Sequence, residues 1–341
     1  MERILLGHGS GGKLMHKMIR EHFAPAFNMG QLGDSAVIRI PIINDAVGSP
    51  ELAFTTDSYV VSPLFFPGGN IGDLAINGTV NDLSMAGSTP LYIATGFIIE
   101  EGFPVNDLRR VIASMAEAAK KAGVSVVAGD TKVVDKGKGD GLFINTSGIG
   151  IITGGCDLGP HRVMEGDKVI ISGPIGNHGI AVMAERNGLA FDPPVVSDTA
   201  ALNGLVAEML GISGAVHMMR DPTRGGVATT LKEIALESGR CISINEQLLP
   251  VPDGVRGACD LLGLDPLYVA NEGILLAIVG SGEAARLIEK MKGHPLGAGA
   301  AVIGEVCCGE SRDRGMLLLK TVIGGTRIID MLAGEQLPRI C

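Results

Sequence analysis

Short loops rich in glycine punctuate the whole chain and separate its apolar segments. Fifty of the 341 residues are glycine, about twice the roughly 7% that is usual in proteins. The glycines follow no fixed period of the kind found in fibrous proteins, and we find no internal repeat. Because glycine lets the backbone approach a bound molecule closely, loops of this kind suit a ligand-binding protein.

The segments between these loops carry two kinds of apolar pattern. Helical spacing follows Gly12-Lys13 and recurs in five later segments, namely 70–80, 106–119, 180–185, 227–235 and 284–291. Strand patterns occupy 36–40, 52–56, 91–99, 124–127, 142–152, 167–172, 274–279, 317–319 and 327–329. In the segment 106–119, Asn106 is the expected N-cap, and Gly123 is the expected left-handed residue after the helix.

Four aspartates lie where a predicted strand or helix meets a loop: Asp34, Asp57, Asp82 and Asp130. Each one alone also fits an ordinary cap or turn residue, because aspartate bonds the local backbone at such places. Together they indicate a common edge, where several carboxylates repel one another unless cations lie between them. They therefore predict a Mg²⁺ site for a triphosphate, to which Lys132 adds a positive charge for phosphate.

Two loops that lead into helices have compositions typical of anion sites. The first, His8 to Lys13, lacks the longer spacing of a Walker A loop, so a flexible lead-in to the helix is the alternative. The second runs from Asp221 to Gly226 and precedes a strong apolar stripe, so that the first amides of its helix suit an anion. Simple capping by Asp221 and Thr223 is the alternative reading of this loop.

Two further side chains are candidates for proton transfer. Glu272 lies between Asn271 and Gly273 among apolar residues. Partial desolvation there would raise its pKa and make it a better base near neutral pH, and a plain turn carboxylate is the alternative. His178 lies in a glycine-rich loop, where a histidine serves either as a proton carrier or as a hydrogen-bonding residue.

The chain ends in a cysteine, Cys341, at the tip of the segment 333–341. Pro338 removes a backbone donor and disfavours a helix, which predicts a flexible arm. Nine extended residues span about 30 Å, so that Cys341 can reach a cleft in its own subunit or another protein. An inert exposed thiol is the alternative, because cysteine reactivity depends on thiolate formation and not on position.

Composition argues against several classes of protein. The six cysteines form no CxxC pair and no His/Cys ligand spacing, which argues against zinc and a disulfide framework. A net charge of -9 without a long Lys/Arg cluster argues against nucleic-acid binding. We see neither a signal peptide nor a run of about 18 apolar residues, so we expect a cytoplasmic protein without a membrane partner.

The length of 341 residues suffices for two domains with separate cores. Strand pattern gives way to turn residues from Gly154 to Pro160, which indicates a boundary there. We therefore expect domains at 1–157 and 158–332, followed by the tail 333–341.

Several motifs taken together resemble the HypE family of hydrogenase maturation proteins, nearly from end to end of the chain. They are His8 to Lys13, 55–58, 81–82, 129–132, 221–226, 271–273 and 338–341. The family belongs to the superfamily of aminoimidazole ribonucleotide synthetase, selenophosphate synthetase and thiamine-monophosphate kinase. The resemblance implies an α/β (α+β) fold of the aminoimidazole ribonucleotide synthetase type, with ATP bound between two domains. It also implies a mixed N-terminal sheet that forms a barrel in a homodimer, a C-terminal α/β domain and a flexible C-terminal tail.

The same resemblance implies a reaction. A HypF-like carbamoyltransferase would load Cys341, ATP would drive dehydration of the thiocarboxamide to a thiocyanate, and the cyanide would pass to a HypC/HypD-like iron scaffold for [NiFe] hydrogenase. The chemical roles implied fall to Cys341, Glu272 and Lys132. ATP binding is implied for Gly11, Gly12, Lys13, Asp57, Asn81, Asp82, Asp130, Asp221 and Thr223. Mg²⁺ binding is implied for Asp34, Asp57, Asp82 and Asp130, although Ser35 stands where some superfamily members carry a second aspartate.

Two other functions fit parts of the sequence. One is a small-molecule enzyme of the same superfamily. Selenophosphate synthetase typically has a cysteine or selenocysteine in its N-terminal glycine-rich segment, whereas the first cysteine here is Cys156, and the purine and thiamine enzymes need no terminal thiol. The other is a carrier or scaffold without catalysis, in which Cys341 only docks a partner.

Overall fold

The computed structural model describes residues 12–27, 35–39, 51–153, 156–212, 214–307, 314–332, 337 and 339–341. Within these residues the strands form a five-stranded sheet, a seven-stranded sheet and a two-stranded ribbon. The predicted site residues Gly11 and Asp34 lie outside the described residues, as do residues 333–336 and 338 of the tail.

The α-helices of the described chain are α1 (Lys13–Met18), α2 (Ala24–Phe27), α3 (Ile71–Met85), α4 (Val105–Ala122), α5 (Asn177–Asn187), α6 (Asn203–Leu210), α7 (Gly226–Ser238), α8 (Asp253–Leu262) and α9 (Ala284–Lys292). A π-helical segment, Ile19–Phe23, joins α1 to α2. Short 3-10 turns occur at Pro160–Arg162, Glu246–Leu248, Pro266–Tyr268 and Pro295–Gly297. None of the helices that the structure describes is long and apolar enough to cross a bilayer.

The strands are β1 (Ala36–Arg39), β2 (Glu51–Tyr59), β3 (Phe65–Phe66), β4 (Gly69–Asn70), β5 (Thr89–Glu100), β6 (Ser125–Val134), β7 (Leu142–Ile152), β8 (Lys168–Ile171), β9 (Val216–Arg220), β10 (Cys241–Asn245), β11 (Leu276–Val279), β12 (Ala301–Cys307), β13 (Leu317–Lys320) and β14 (Thr326–Ile329). The first sheet has the order β1-β2-β7-β5-β6. Its neighbours are antiparallel except β5 and β6, which α4 connects as a crossover. The sheet is therefore mixed, as the sequence resemblance implies.

The long helix α3 lies against one face of the first sheet and is buried almost all round. Asn70 caps it through a reciprocal pair of bonds, accepting from the Gly72 amide at 2.8 Å while its own amide donates to Asp73 at 2.8 Å. Gly78 brings α3 close to β2, because a Cβ there would lie 2.3 Å from the Tyr59 hydroxyl. This close packing holds the C-terminal end of α3 over β2, where the candidate site lies.

The second sheet has the order β14-β13-β10-β12-β8-β11-β9. Alternate side chains along its strands pack into two separate hydrophobic cores. One core packs against α7, and the other packs against α6 and α9. Helices thus cover both faces, which is the expected α/β layering of this half of the chain.

Three boundaries differ from the expectations drawn from the sequence. Strand β2 continues to Tyr59, so Asp57 lies inside the strand and not beyond its end. Strand β6 likewise runs through Asp130, because pairing with β5 continues to Glu100. Pro104, and not Asn106, is the N-cap of α4, since its carbonyl accepts from the amides of residues 107 and 108. Gly123 ends α4 with φ 71°, as predicted.

Candidate functional site

Two of the predicted carboxylates meet on the face of the first sheet that α3 covers. Asp57 shares this face with Thr55 and Tyr59, because every second side chain of β2 points inward. The Thr55 hydroxyl donates to Asp82 Oδ2 at 2.8 Å, which brings the last turn of α3 to the same place. Burial raises the pKa of Asp57, against the opposing effects of Arg224 and of the Ser58 amide.

Glu272 faces this pair from the second domain and is only 3% exposed. One of its carboxylate oxygens, Oε1, is buried without a hydrogen bond. Burial raises the pKa of Glu272 well above its ordinary value, and Asp221, Asp198 and Asp57 raise it further. The desolvated glutamate predicted from the sequence is therefore present, and its pKa is raised as a general base near neutral pH requires.

The loop that carries Glu272 is held by a neighbouring aspartate. Asp198 accepts from the amides of Glu272 and Gly273 at 3.2 and 3.3 Å. Residue 273 must be glycine for this approach, because a Cβ there would lie 1.7 Å from the Asp198 carbonyl oxygen. The backbone bonds fix the position of Glu272 and leave its side chain directed into the site.

Arg224 brings a positive charge into the same group, and the sequence reasoning had assigned it no role. It follows Asp221, and two glycines with positive φ, Gly225 and Gly226, then turn the chain into α7. Its guanidinium lies near the Cys341 thiol and near the carboxyl groups of Asp57 and Glu272. Its place beside the glycine pair before a helix was the available signal, but only the fold shows which acidic groups it meets.

Cys341 lies in this cluster and is only 8% exposed. Burial raises the pKa of its thiol to about 12; Arg224 lowers it, while Glu272, Asp57 and Asp221 raise it further. In this position the sulfur is therefore held in an uncharged form. The surroundings favour a thiol or a neutral thioester-like group over a thiolate.

The end of the tail is bound in the cleft of its own subunit. The Val60 amide donates to the carbonyl oxygen of Cys341 at 3.0 Å, and Arg186 donates to that of Arg339 at 2.7 Å. His178 is fully buried and bonds to the Ile340 carbonyl at 2.8 Å, and burial lowers the pKa of its ring to about 4. Of the two readings of His178, the structure supports the hydrogen-bonding one.

Asp130 and Lys132 lie apart from this cluster within one subunit. They pair with each other at 2.7 Å on the edge strand β6, where the Asp130 side chain is 71% exposed. The residue of β6 in the row of Asp57 is Gly129, three strands away, or roughly 14 Å at about 4.8 Å per strand. Asp130 therefore points to the opposite face of the sheet. The expected common edge thus holds Asp57 and Asp82 but not Asp130, and the described residues contain no cluster of three metal-binding side chains.

The remaining predicted site residues surround the cluster or join the two domains. Asn81 is buried, donates to the carbonyls of Ala200 and Glu272, and accepts from the Leu202 amide. Lys13, directly after Gly12, pairs with Asp330 at 2.6 Å. Asp221 is buried beside Glu272, and its carbonyl accepts from the Thr223 amide at 3.0 Å.

A cavity of about 500 Å³ lies between the domains next to this site. Its wall includes Ser35, whose hydroxyl donates to the Asp82 carbonyl at 2.9 Å. Met85, Met218 and Met219 supply apolar surface, and Arg220 and Glu237 supply charge. The cavity therefore reaches the last turn of α3 through Ser35.

Comparison with known proteins places these domains in a family. Residues 32–152 match the N-terminal domain of AIR synthase related proteins, and residues 164–313 match their C-terminal domain. The carbamoyl dehydratase HypE of Azotobacter vinelandii is 49% identical over 337 residues, which cover 98% of this chain and 96% of that protein.

Two solved structures extend the comparison. The hydrogenase maturation protein HypE in complex with ATP superposes with a TM-score of 0.82 at 45% identity, covering 99% of this chain and 100% of that one. A HypE–HypF complex contains a chain with a TM-score of 0.84 and 47% identity, covering 92% and 99%. With this identity over nearly its whole length, the chain belongs to the HypE family of carbamoyl dehydratases, enzymes of hydrogenase maturation built on the two-domain AIR synthase related α/β fold.

Proposed function

We propose that this enzyme dehydrates a carbamoyl group carried on the sulfur of its own Cys341 and consumes ATP in doing so. The thiocarboxamide, S–C(=O)–NH₂, becomes a thiocyanate, S–C≡N, while ATP becomes ADP and inorganic phosphate. The amide loses one oxygen and two protons in this conversion. Because an amide oxygen is a poor leaving group, ATP supplies the phosphoryl group with which that oxygen departs.

The observation that carries the proposal is the position of Cys341 beside Glu272 and Arg224. A cleft that disfavours a thiolate is suited to a neutral S-carbamoyl group, whose sulfur carries no charge. The cargo would thus be bound in the state that has to react, with a base and a cation close to it.

Glu272 is proposed as the base that takes the amide protons. Its raised pKa makes it a stronger base than an ordinary carboxylate, and its unpartnered Oε1 is available to a new donor. Arg224 would stabilise the negative charge that develops as the oxygen leaves, since a guanidinium is always charged in proteins. The burial of the tail excludes water, which would otherwise hydrolyse an activated amide.

Asp57 and Asp82 are proposed to hold Mg²⁺ together with the ATP phosphates. Their hard carboxylate oxygens suit this ion, which commonly takes one or two protein carboxylates and completes its shell with phosphate oxygens and water. Burial raises the pKa of Asp57, so a cation bound there would offset the cost of its charge. Asp34, which precedes Ser35 in the sequence, remains a proposed third ligand.

We place the nucleotide in the cavity beside Asp82. Its methionine-rich wall suits an apolar ring. Asp221 and Thr223 precede α7 in the chain, and we propose that the first amides of this helix bind phosphate. The ATP complex of a related HypE supports nucleotide binding by this fold. Gly11, Gly12 and Lys13 would close over the phosphates, and Asn81 would contribute by holding the wall formed by the Glu272 loop.

A homodimer would account for the outer face of the first sheet. This face is apolar and none of the described segments covers it, with Phe54, Tyr92 and Ile98 all at least 40% exposed. Two such sheets facing each other would form a closed barrel. Asp130 and Lys132 lie on this face, so we propose that they act on phosphates at the subunit interface. We retain 1–157, 158–332 and 333–341 as the proposed domains and tail.

The partners follow from the fate of the cargo. A HypF-like carbamoyltransferase would load Cys341, as the solved HypE–HypF complex of a relative suggests, and a HypC/HypD-like iron scaffold would accept the cyanide. Loading requires the thiolate, which the docked position disfavours, so the tail must leave the cleft to be loaded. We propose cytoplasmic assembly of these complexes.

The test is a mass measurement on the C-terminal peptide. Carbamoylated protein incubated with Mg-ATP is expected to lose roughly 18 Da, one water, from that peptide with matching ADP formation. ADP formation with an unchanged peptide mass would reject the dehydratase in favour of a small-molecule kinase. A Cys341→Ala protein should bind ATP normally and accept no carbamoyl group.

A further inference from the structure

We propose that the groove around the last residues is a receptor for a free C-terminal peptide, and that the enzyme accepts an S-carbamoylated peptide of this sequence in trans. The second half of this inference rests on the proposed function, whereas the first half concerns binding alone. The ligand class is a short peptide that carries isoleucine and cysteine as its last two residues.

The groove makes hydrogen bonds to the main chain of the last three residues. Arg339 O accepts from the Ser62 amide at 3.2 Å and from Arg186 at 2.7 Å. Ile340 O and Cys341 O accept from His178 and from the Val60 amide, at 2.8 and 3.0 Å. Each carbonyl of this tripeptide therefore has a donor on the groove, in the manner of a peptide added beside a strand.

The donors are held by contacts that do not involve the tail. A carbonyl only accepts, so His178 Nε2 carries the proton, and Nδ1 accepts from the Ser197 hydroxyl at 2.8 Å. Arg186 Nε is held by the Ser62 carbonyl at 2.7 Å. The amides of residues 60 and 62 directly follow β2. The receptor is thus formed before the peptide arrives, which lowers the entropic cost of binding.

Side chains add selectivity to these main-chain contacts. Ile340 is 2% exposed and packs in the core cluster of the first domain, and Leu337 packs against the same cluster. Arg339 has φ 51°, a left-handed conformation that is unfavourable for a non-glycine residue. Its guanidinium compensates by donating to Val60 O and to Asp140.

All of these contacts are made by residues 337 and 339–341. These contacts are therefore what the groove recognises. The covalent link to the rest of the chain mainly raises the local concentration of the tail near the groove, as a flexible tether does. A separate peptide with the same end should therefore occupy the groove whenever the attached tail does not.

The first experiment measures binding to a full-length protein whose own tail is displaced. Ile340→Asp is suitable, because an aspartate is costly to bury in the isoleucine site. A fluorescent peptide of the sequence Leu-Pro-Arg-Ile-Cys is titrated with this protein and followed by anisotropy. We expect saturable binding, at least tenfold tighter than to wild type, where the attached tail competes.

Matched controls distinguish specific recognition of the peptide from nonspecific binding. The same peptide with aspartate in place of isoleucine should bind at least tenfold more weakly. In the Ile340→Asp background, His178→Ala should weaken binding by about tenfold, and His178→Gln, which keeps a donor, should restore most of it. Thermal unfolding and ATP binding check each protein, and Arg339→Glu replaces Ile340→Asp as the tail-releasing variant if the latter does not fold.

The second experiment supplies the S-carbamoylated peptide and Mg-ATP to the tail-released enzyme. We expect the peptide to lose roughly one water, 18 Da, while carbamoylated wild-type protein does so on its own tail. Absence of saturable peptide binding to both tail-released variants would overturn the receptor. Binding without mass loss, when the wild-type tail does react, would overturn action in trans; failure of both peptide and wild-type tail to react would instead reject the proposed function.

Discussion

At the scale of single residues, Glu272 and Cys341 owe their properties to desolvation. Both lie almost wholly inside the protein, and burial is the largest cause of each raised pKa. For the glutamate this strengthens a base, and for the cysteine it suppresses the thiolate. If Cys341 carries the proposed carbamoyl group, this one environment would favour removal of its amide protons, while the free thiol would be protected from electrophiles.

Replacing Glu272 by glutamine tests the first of these effects. Glu272→Gln should slow dehydration at least about 100-fold, because an amide cannot take the protons, while the protein stays folded. The wild-type carboxyl, with its raised pKa, contributes stability at low pH that is lost as pH rises through that pKa. The melting temperatures of the variant and of wild type are measured at pH 5 and pH 8. The difference, variant minus wild type, should be more positive at pH 8 than at pH 5.

Alkylation of Cys341 tests the second effect. Burial raises its pKa from 9.0 to about 12, so iodoacetamide at pH 8 should label wild type at least tenfold more slowly than the Ile340→Asp variant. The protonated thiol stabilises the docked tail. This stabilisation is fully present below about pH 9 and is lost as the pH rises towards 12. The ratio of the two labelling rates, followed by mass spectrometry, should be constant from pH 7 to 9 and fall above it. Equal rates at pH 8 would mean that the tail is not docked in solution.

At the scale of elements, α3 and β2 assemble the site. The last turn of α3 carries Asp82 to Thr55 on β2, and Asn81 ties the same turn to the loops around Ala200 and Glu272. The strand beyond Asp57 then continues into residues 60–62, which bind the tail. A displacement of α3 would therefore move the proposed metal ligands and the proposed base together.

The amide of Asn81 should contribute measurably to stability. Asn81→Ala leaves the buried Leu202 amide and two carbonyls without their partner, which should lower the free energy of unfolding by about 1–3 kcal/mol. Urea denaturation measures this, with Asn106→Ala on the exposed side of α4 as the control, expected within about 0.5 kcal/mol of wild type. Equal losses in the two variants would show that the bonds of Asn81 do not hold the domains together.

At the scale of the whole molecule, the residues that the structure describes leave the outer face of the first sheet, opposite α3, apolar and uncovered. The edge strand β6 beside it also exposes Val126, Val127 and Val133. An exposed sheet edge and an apolar face of this kind favour association. The two charged residues on this surface, Asp130 and Lys132, would then be placed by the partner subunit.

A charge in the middle of this face should separate the subunits. Ile98 is 47% exposed on β5, and Ile98→Glu should convert a dimer to a monomer in sedimentation velocity runs at micromolar concentration, because a buried unpaired carboxylate is costly. Ile323→Glu, at a site 91% exposed in the second domain, is the matched control and should leave the mass unchanged. A wild-type protein that sediments as a monomer at these concentrations would reject the barrel.

The sequence by itself determined most elements, because the period of apolar residues and the turn chemistry of glycine are local properties. It also predicted a desolvated carboxylate at Glu272, which the structure confirms, and a reactive thiol at Cys341, which stays a prediction. Only the tertiary structure decided that Asp57 and Asp82 share one face while Asp130 lies on the other, since that depends on strand register across four strands. It alone brought Arg224, His178 and residues 60–62 to Cys341, because contacts between residues far apart in the chain depend on how whole elements pack.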